Sequence, residues 1–320
     1  MRDTGNENIT MLYEASILYY EHGYSQKEIG AKLGVSRPGV SRMLQKARDV
    51  GIVRIEITDP SASGTLMENQ LKEIYGLKKA VVIPSDGIST TILLNRLGKA
   101  AAKYLDSVIE SGMTIGISWG TTMKAVSDNL IDNAANDISI VQLNGALTRA
   151  AYNTHASEII QKMGEYYHSI PYMLPLPAIV EGTDIKSVMI SDRHISRTLN
   201  LSQESSVAIF TIGSFGNDSA LVKAHYFEED EVITLIENGA VADICSRIIN
   251  RDGEICSTDL NDRTMGVELV DLKRKEFSIA VAGGIDKAEA IRAGLKGQWF
   301  NVLVTDEKVA ELLLPNFNNN

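Results

Sequence analysis

The stretch that most constrains this chain is Ser25-Gln26-Lys27-Glu28-Ile29-Gly30-Ala31-Lys32-Leu33-Gly34-Val35-Ser36-Arg37-Pro38-Gly39-Val40-Ser41-Arg42-Met43-Leu44. It reads as two short helices joined by a tight turn. Ser25 can cap the first, with Glu28 three residues on as its capping-box partner. Ile29 and Leu33 are four apart and point inward together. Gly34 follows the last apolar position and can take the left-handed conformation that ends a helix. Ser36 caps the second helix, and Pro38 sits in its first turn, where a missing N–H costs little. Val40, Leu44 and Ala47 form the buried side; Arg37, Ser41, Arg42, Gln45, Lys46 and Arg48 stay outside. A polar, basic second helix after a turn of about three residues is the layout of a helix-turn-helix that reads a major groove. A small helical hairpin on the surface is the alternative.

Net charge is −10, which looks wrong for a DNA binder until it is divided along the chain. Residues 1–58 hold eight Lys+Arg against seven Asp+Glu, while the remainder holds 23 against 34. Within residues 25–54 the balance is seven against two. Positive charge is concentrated where the groove-reading helix would lie, and the acidic remainder would be repelled by phosphate. Such a modest field suits a dimer or tetramer on DNA.

Three hundred and twenty residues suggest about two domains. The apolar share of 44% and a mean hydropathy of −0.04 suit packed globular domains. No apolar run approaches the roughly 18 to 20 residues that span a bilayer. Met1–Thr10 is polar and lacks a signal-peptide core, so the expected location is the cytoplasm, with no membrane partner. Cys245 and Cys256 are too few for a disulfide framework, and the five histidines lack ligand spacing, so neither a metal nor another cofactor is expected.

Ahead of the helix-turn-helix, Met11, Leu12, Ala15, Leu18 and Tyr19 recur at three- and four-residue steps between Ile9 and His22, an amphipathic helix that Gly23 ends. Behind it, Val53, Ile55 and Ile57 alternate with Arg54 and Glu56, a strand that suggests a winged variant. Arg54 there could reach a phosphate or simply be solvated. Asp59–Gly64 is rich in turn formers and marks a linker. The expected division is a DNA-binding domain over 1–58, an effector and oligomerisation domain over 59–315, and a frayed tail at 316–320.

A helix is expected over Thr65–Tyr75. Beyond it, short apolar runs alternate with helical patterns. The strand candidates are Lys79–Pro84, Thr114–Ser118, Ile138–Leu143, Val207–Ile212, Ser278–Ala282 and Val302–Val304. The helix candidates are Thr90–Ile109, Met123–Ile131, Ser157–Tyr167, Asp184–Met189, Asp230–Glu237, Asp286–Ala293 and Glu307–Leu313. Continuous apolar strands separated by helices indicate an α/β domain with a largely parallel sheet covered on both faces.

Ligands of open α/β sheets bind beyond the carboxyl ends of the strands, and three strand ends carry suitable residues. At Ser118-Trp119-Gly120-Thr121-Thr122, Gly120 admits close backbone approach, and Thr121 and Thr122 add hydroxyls at a helix start, favouring phosphate or serving only as caps. At Leu143-Asn144-Gly145-Ala146, followed by Asn153-Thr154, amide side chains suit hydroxyl recognition or an ordinary turn. At Val281-Ala282-Gly283-Gly284-Ile285-Asp286-Lys287, a cation in the first turn of a helix conflicts with its dipole unless an anion is near. Asp243 interrupts an apolar stretch and needs a partner if buried; a sugar hydroxyl or Arg247 could supply it. No Ser-His-Asp order, paired carboxylates or metal set stands out. Two readings therefore stand: a ligand-controlled transcription regulator, most simply a repressor, and a sugar-phosphate isomerase or deaminase with an accessory DNA-binding head.

Several stretches, in this order, resemble the SorC family of sugar-binding transcriptional regulators. They are Tyr24-Ser25-Gln26, Ser36-Arg37-Pro38 with Val40-Ser41-Arg42, Ser118-Trp119-Gly120-Thr121-Thr122, Asp243-Ile244-Cys245-Ser246-Arg247, Asn261-Asp262-Arg263-Thr264 with Gly266-Val267-Glu268-Leu269, and Ala280-Val281-Ala282-Gly283-Gly284. The resemblance runs from about Tyr13 to Leu314 and is strongest to the deoxyribonucleoside-type members. It implies a Rossmann-like effector domain related to ribose-phosphate isomerase and glucosamine-phosphate deaminase folds, a phosphorylated sugar as effector, and dimer-to-tetramer assembly on operator DNA. It places Gly120, Thr121, Thr122, Gly283, Gly284 and Lys287 at the phosphate, and Asn144, Gly145, Asn153, Thr154 and Asp243 near the sugar. Ser25, Gln26, Ser36, Arg37, Pro38, Ser41, Arg42 and Lys46 fall at the DNA. The deoxyribonucleoside-type members carry a lysine where this chain has Asn144. That amine can form an imine with an aldehyde sugar; an amide cannot.

Overall fold

The computed structural model describes residues 4–53, 62–130, 135–147 and 153–315. Its contacts divide the chain into two compact units, Met1–Ser61 and Ala62–Asn320. Arg54, Ile55, Ile57 and residues 59–61 of the expected linker lie outside the described residues, as do Ile131 and the tail at 316–320. Ala62 to Gly64, expected in the linker, belong to a helix.

The first unit is helical: α1 (Thr4–Ser16), a wide turn over Ile17–Glu21, α2 (Gln26–Leu33) and α3 (Arg37–Asp49). Its core is Ala15, Ile29, Val40 and Leu44, with Leu18, Tyr24, Leu33, Val35 and Met43 packed around them. The capping box forms as the sequence predicts. Glu28 N–H donates to Ser25 Oγ at 3.3 Å, and Ser25 N–H donates to Glu28 Oε2 at 2.9 Å. Gly34 ends α2 in the left-handed conformation, and Ser36 accepts from Gly39 N–H at 3.3 Å to open α3. The first helix differs from expectation. After Ser16 the backbone widens, with His22 N–H donating to Ile17 O and Tyr24 N–H to Leu18 O. A wide turn of this kind shifts the helical phase, so Tyr19, expected inside, is exposed.

The second unit begins with α4 (Ala62–Tyr75), β1 (Lys79–Ile83), α5 (Thr90–Val108), β2 (Thr114–Ile117), α6 (Thr121–Ser127) and β3 (Ser139–Gln142). It continues with α7 (Ala156–Tyr166), α8 (Thr183–Ile190), α9 (Arg193–Glu204), β4 (Val207–Phe210), β5 (Ile212–Ser214), α10 (Ala220–Lys223) and α11 (Glu229–Glu237). It closes with β6 (Ala240–Ile244), β7 (Arg247–Asn250), α12 (Thr258–Arg263), α13 (Leu269–Arg274), β8 (Phe277–Val281), α14 (Ala288–Gly297), β9 (Val302–Asp306) and α15 (Glu307–Leu313). Six strands form one parallel sheet in the order β1-β9-β8-β4-β2-β3. The alternation along each strand explains why both faces are covered. Val207, Ile209, Ile279, Val281, Val302 and Val304 enter one apolar cluster, while Ala208, Phe210, Ala280 and Leu303 enter the other. This period of two buries most positions, so the strands read as continuous apolar runs.

The expected strand over Val207–Ile212 is two strands. The chain leaves the parallel sheet after Phe210, and β5 joins a small antiparallel sheet, β5-β6-β7. The β6–β7 hairpin, α9, α10, α12 and α13 have no counterpart among the sequence expectations. The hairpin turn, Cys245-Ser246, holds both residues at positive φ (51° and 70°). Such turns favour Asn and Gly, so this one carries no local signal. The helix expected over Asp286–Ala293 begins instead as a tight 3₁₀ turn, Ile285–Lys287, ahead of α14.

Candidate functional site

Two surfaces carry the candidate residues. On the helical unit, Arg37, Pro38, Ser41, Arg42, Gln45, Lys46 and Arg48 are all exposed along α3, opposite buried Val40, Leu44 and Ala47. Arg42 Nε reaches back to Pro38 O at 3.4 Å, which orients its guanidinium along the helix. Arg48 donates to Gln45 Oε1 and Gln45 to Asp49 Oδ1, so the end of α3 is internally paired. Ser25 and Ser36 are exposed, and their hydroxyls serve as caps. Gln26 is half-buried in the first turn of α2.

In the second unit β2 continues outward to β3, and β4 to β8 on the other side, so the sheet order reverses between β2 and β4. A crevice is expected beyond the carboxyl ends at such a switch point. The structure has a cavity of about 460 Å³ there. It is lined by Ser118–Thr122 after β2, Asn144 after β3, Thr211 and Gly213–Gly216 around β5, and Asp218–Ala220 with Lys223. Asp243, Cys245 and Ser246 come from the hairpin, and Asp286 and Lys287 from the 3₁₀ turn.

These side chains are coupled. Asn144 is buried; its Nδ2 donates to Ser246 Oγ at 2.7 Å. Ser246 N–H donates to Asp243 Oδ1, also at 2.7 Å. Burial pushes the Asp243 carboxyl up to about 7, against the opposing pull of that N–H and of Lys287. Burial likewise holds the Lys287 ammonium below the usual lysine range, with Asp286 and Asp243 acting the other way. An anion beside Lys287 would favour its charged form. The cations at the cavity are Lys287 and Lys223, the latter also 3.1 Å from Asp218. They, rather than the seven-residue α6, supply the positive charge.

Gly120, Thr121, Thr122, Asn144, Asp243 and Lys287 thus come together as predicted, and Gly145, Asn153, Thr154, Gly283 and Gly284 do not line the cavity. Gly145 is a packing position: a Cβ there would lie 2.1 Å from Pro177 O. Its N–H donates to Met265 O, and its carbonyl accepts from Trp119 Nε1. Thr154 O accepts from Gly120 N–H at 3.1 Å, supporting the cavity wall from behind. Asn153 Oδ1 receives His155 N–H at 2.8 Å. A Cβ on Gly283 would meet Asp306 Oδ2 at 2.6 Å, and Gly284 N–H donates to that oxygen at 2.7 Å, so this amide is spent inside the protein.

The expectation that Arg247 partners Asp243 fails. Arg247 is fully buried and turned to the other side of the hairpin. It donates to Val267 O at 2.7 Å, Asn261 O at 3.0 Å and Oδ1 at 2.5 Å, Gly266 O at 3.2 Å, and Glu268 Oε1 at 2.7 Å. Period-two alternation puts Asp243 and Arg247 on different faces, which spacing in an unassigned stretch could not reveal. Thr211, Ser219, Lys223 and Ser246 are cavity residues that the sequence reading did not select. Thr211 falls inside the strand expected over Val207–Ile212, and only the break between β4 and β5 brings it to a strand end. Ser219 and Lys223 flank and close a four-residue helix too short for periodicity.

A helical unit with a basic exposed face, together with a parallel-sheet unit whose polar cavity opens at the strand ends, defines a ligand-responsive DNA-binding protein. The chain belongs to the sugar-binding domain family, whose model matches residues 60–315, and it is a transcriptional regulator. It is 38% identical over 301 residues to the deoxyribonucleoside regulator of Bacillus subtilis, covering 94% of this chain and 96% of that one. It is 29% identical to the sorbitol operon regulator of Klebsiella pneumoniae, over 97% and 99% of the two chains. The crystal structure of full-length SorC from Klebsiella pneumoniae superposes with a TM-score of 0.83 at 28% identity, over 96% of this chain and 98% of that one. These relatives are named as regulators, and the isomerase or deaminase reading receives no support from them. No helix among the described residues is long and apolar enough to cross a membrane.

Proposed function

We propose that this regulator binds operator DNA through α3 and controls a carbohydrate or nucleoside catabolic operon in response to a phosphorylated sugar held in the strand-end cavity. Repression relieved by the effector is the simplest form. Arg37, Ser41, Arg42 and Lys46 would meet bases and phosphates. Gln26 and Pro38 lie beside them, and Ser25 and Ser36 contribute by fixing both helix starts. In the cavity, Lys287 and the hydroxyls of Thr121 and Thr122 would face the phosphate, and Asn144 and Asp243 the sugar hydroxyls. Gly145, Asn153, Thr154, Gly283 and Gly284 would act by shaping the walls.

The observation that carries this reading is the position and chemistry of the cavity. It lies at the switch point of a parallel sheet, with a half-buried lysine that no protein carboxylate directly pairs among the described ion pairs, and with polar side chains on every wall. The modest charge of the helical unit supports a dimer that assembles to a tetramer on DNA, since several heads add their phosphate contacts. Effector control requires that the sugar bind one arrangement of the assembly better than another. The test is to select duplexes from a random pool and follow their binding by fluorescence anisotropy with and without a panel of sugar phosphates. A defined duplex should be enriched, and one phosphosugar should change its affinity. Failure to enrich any duplex, or indifference to every phosphosugar, would refute the proposal.

A further inference from the structure

Buried polar groups in folded proteins are almost always hydrogen-bonded, so each exception needs a reason. Among the described residues, eight buried side-chain polar atoms lack a hydrogen-bond partner within the protein. Four of them, Ser118 Oγ, Asn144 Oδ1, Thr211 Oγ1 and Ser219 Oγ, belong to residues that line the cavity. The other four, on Gln70, His155, Ser202 and Thr305, do not line it. Ser118, Asn144 and Ser219 are each at least nine-tenths buried, so bulk water does not explain them.

The four come from four separate stretches: the ends of β2, β3 and β4, and the residue before α10. Asn144 is the most informative. Half of its carboxamide is spent on Ser246 Oγ at 2.7 Å, and its backbone carbonyl accepts from Gln142 Nε2 at 2.8 Å. The amide is held in place with one half unspent, and reversing it would leave the count unchanged. As oriented, its free Oδ1 accepts only, which calls for a hydroxyl donor. Inorganic phosphate carries no carbon-borne hydroxyls to offer residues drawn from four separate stretches. Several hydroxyls on successive carbons could reach them.

We infer that the effector is a fully hydroxylated phosphosugar, and that the cavity rejects its deoxy counterparts because a missing hydroxyl leaves Asn144, Ser118 or Ser219 buried without a partner. The inference rests on the phosphosugar reading above and narrows it to a substrate class. A site built to hydrogen-bond a hydroxyl discriminates strongly against the analogue that lacks it.

The test is calorimetric titration of the full-length protein with inorganic phosphate, ribose 5-phosphate, glucose 6-phosphate and the 2-deoxy counterpart of each sugar. The hydroxylated member of at least one pair should bind about tenfold or more tightly than its 2-deoxy counterpart, and Asn144→Leu should narrow that ratio to about threefold or less. Ser118→Ala leaves the Asn144–Ser246 bond in place and should narrow it too, so the outcome does not hang on one variant's folding. Equal or tighter binding of the deoxy member in every pair that binds would overturn the inference while leaving the phosphosugar reading intact. A preference that neither variant narrows would overturn its assignment to these residues. If no sugar phosphate binds more tightly than inorganic phosphate, the phosphosugar reading itself falls, and this inference with it.

Discussion

In the helical unit most of the residues proposed to meet DNA sit on one thirteen-residue helix. In the body, the cavity draws on stretches that run from Ser118 to Lys287. The first surface is made by local rules: a cap, a turn, and a helix whose buried stripe leaves its basic side outside. The second exists only once a parallel sheet has gathered its strand ends. The two should therefore respond differently to substitution. Changes in the head should be local and small. Changes behind the cavity should act on the whole body.

Arg247→Ala should have the largest effect. It leaves four acceptors on Val267, Asn261 and Gly266 without their donor, each buried acceptor left unsatisfied costing about 1–3 kcal/mol, while half-exposed Glu268 turns to water. Urea unfolding followed by the fluorescence of Trp119 and Trp299, both in the body, should shift accordingly; an unchanged midpoint would break the claim that Arg247 organises the hairpin. Gly145→Ala comes next. Its new methyl group meets the Pro177 backbone, and overpacking of this kind costs about 1–3 kcal/mol. The same fluorescence transition reports it.

Arg42→Ala should weaken operator binding by about 1–3 kcal/mol if it reads a base, or lower the salt slope by about one if it meets a phosphate. Anisotropy titrations at several salt concentrations separate these, and the tryptophan transition should not move. Ser36→Ala removes the cap of α3, at a cost of about 1 kcal/mol. Helical circular dichroism should show the head melting earlier, with phosphosugar binding unchanged. Loss of sugar binding in this variant would contradict the separation of the two surfaces.

A pH slope tests the cavity itself. The Asp243 carboxyl lies at about 7 in the folded chain against an ordinary 3.8. Between those values the folded state holds a proton that the unfolded chain has released, so stability falls as pH rises. This contribution is complete below about pH 4 and lost as pH passes 7. Asp243→Asn should flatten that part of the stability curve; an unaltered slope would place Asp243 in a more solvated setting.

The legibility of the two units follows the same division. Ser25, Glu28, Gly34, Ser36 and Pro38 each perform in the structure the role their residue type suggests. Tyr19 was misplaced because a wide turn changed the helical phase without a sequence mark. In the body, strand ends pointed to Gly120–Thr122, Asn144 and Lys287. Gly145 and Gly283 are expected at the ligand, whereas their lack of a side chain serves close packing against Pro177 and Asp306, and Gly284 takes a positive φ beside Asp286. A glycine's sequence signal is the same in both cases.

The sequence by itself determined the basic helix, the separation of charge between the units, and the parallel sheet. These follow from periodicity and capping, which act over a few residues. Only the tertiary structure decided that Asp243 faces Lys287 while Arg247 turns away to Glu268, and that Thr211 and Ser219 join Asn144 at one cavity. Those pairings depend on which strand ends the crossovers bring together, and spacing along the chain does not encode that distance.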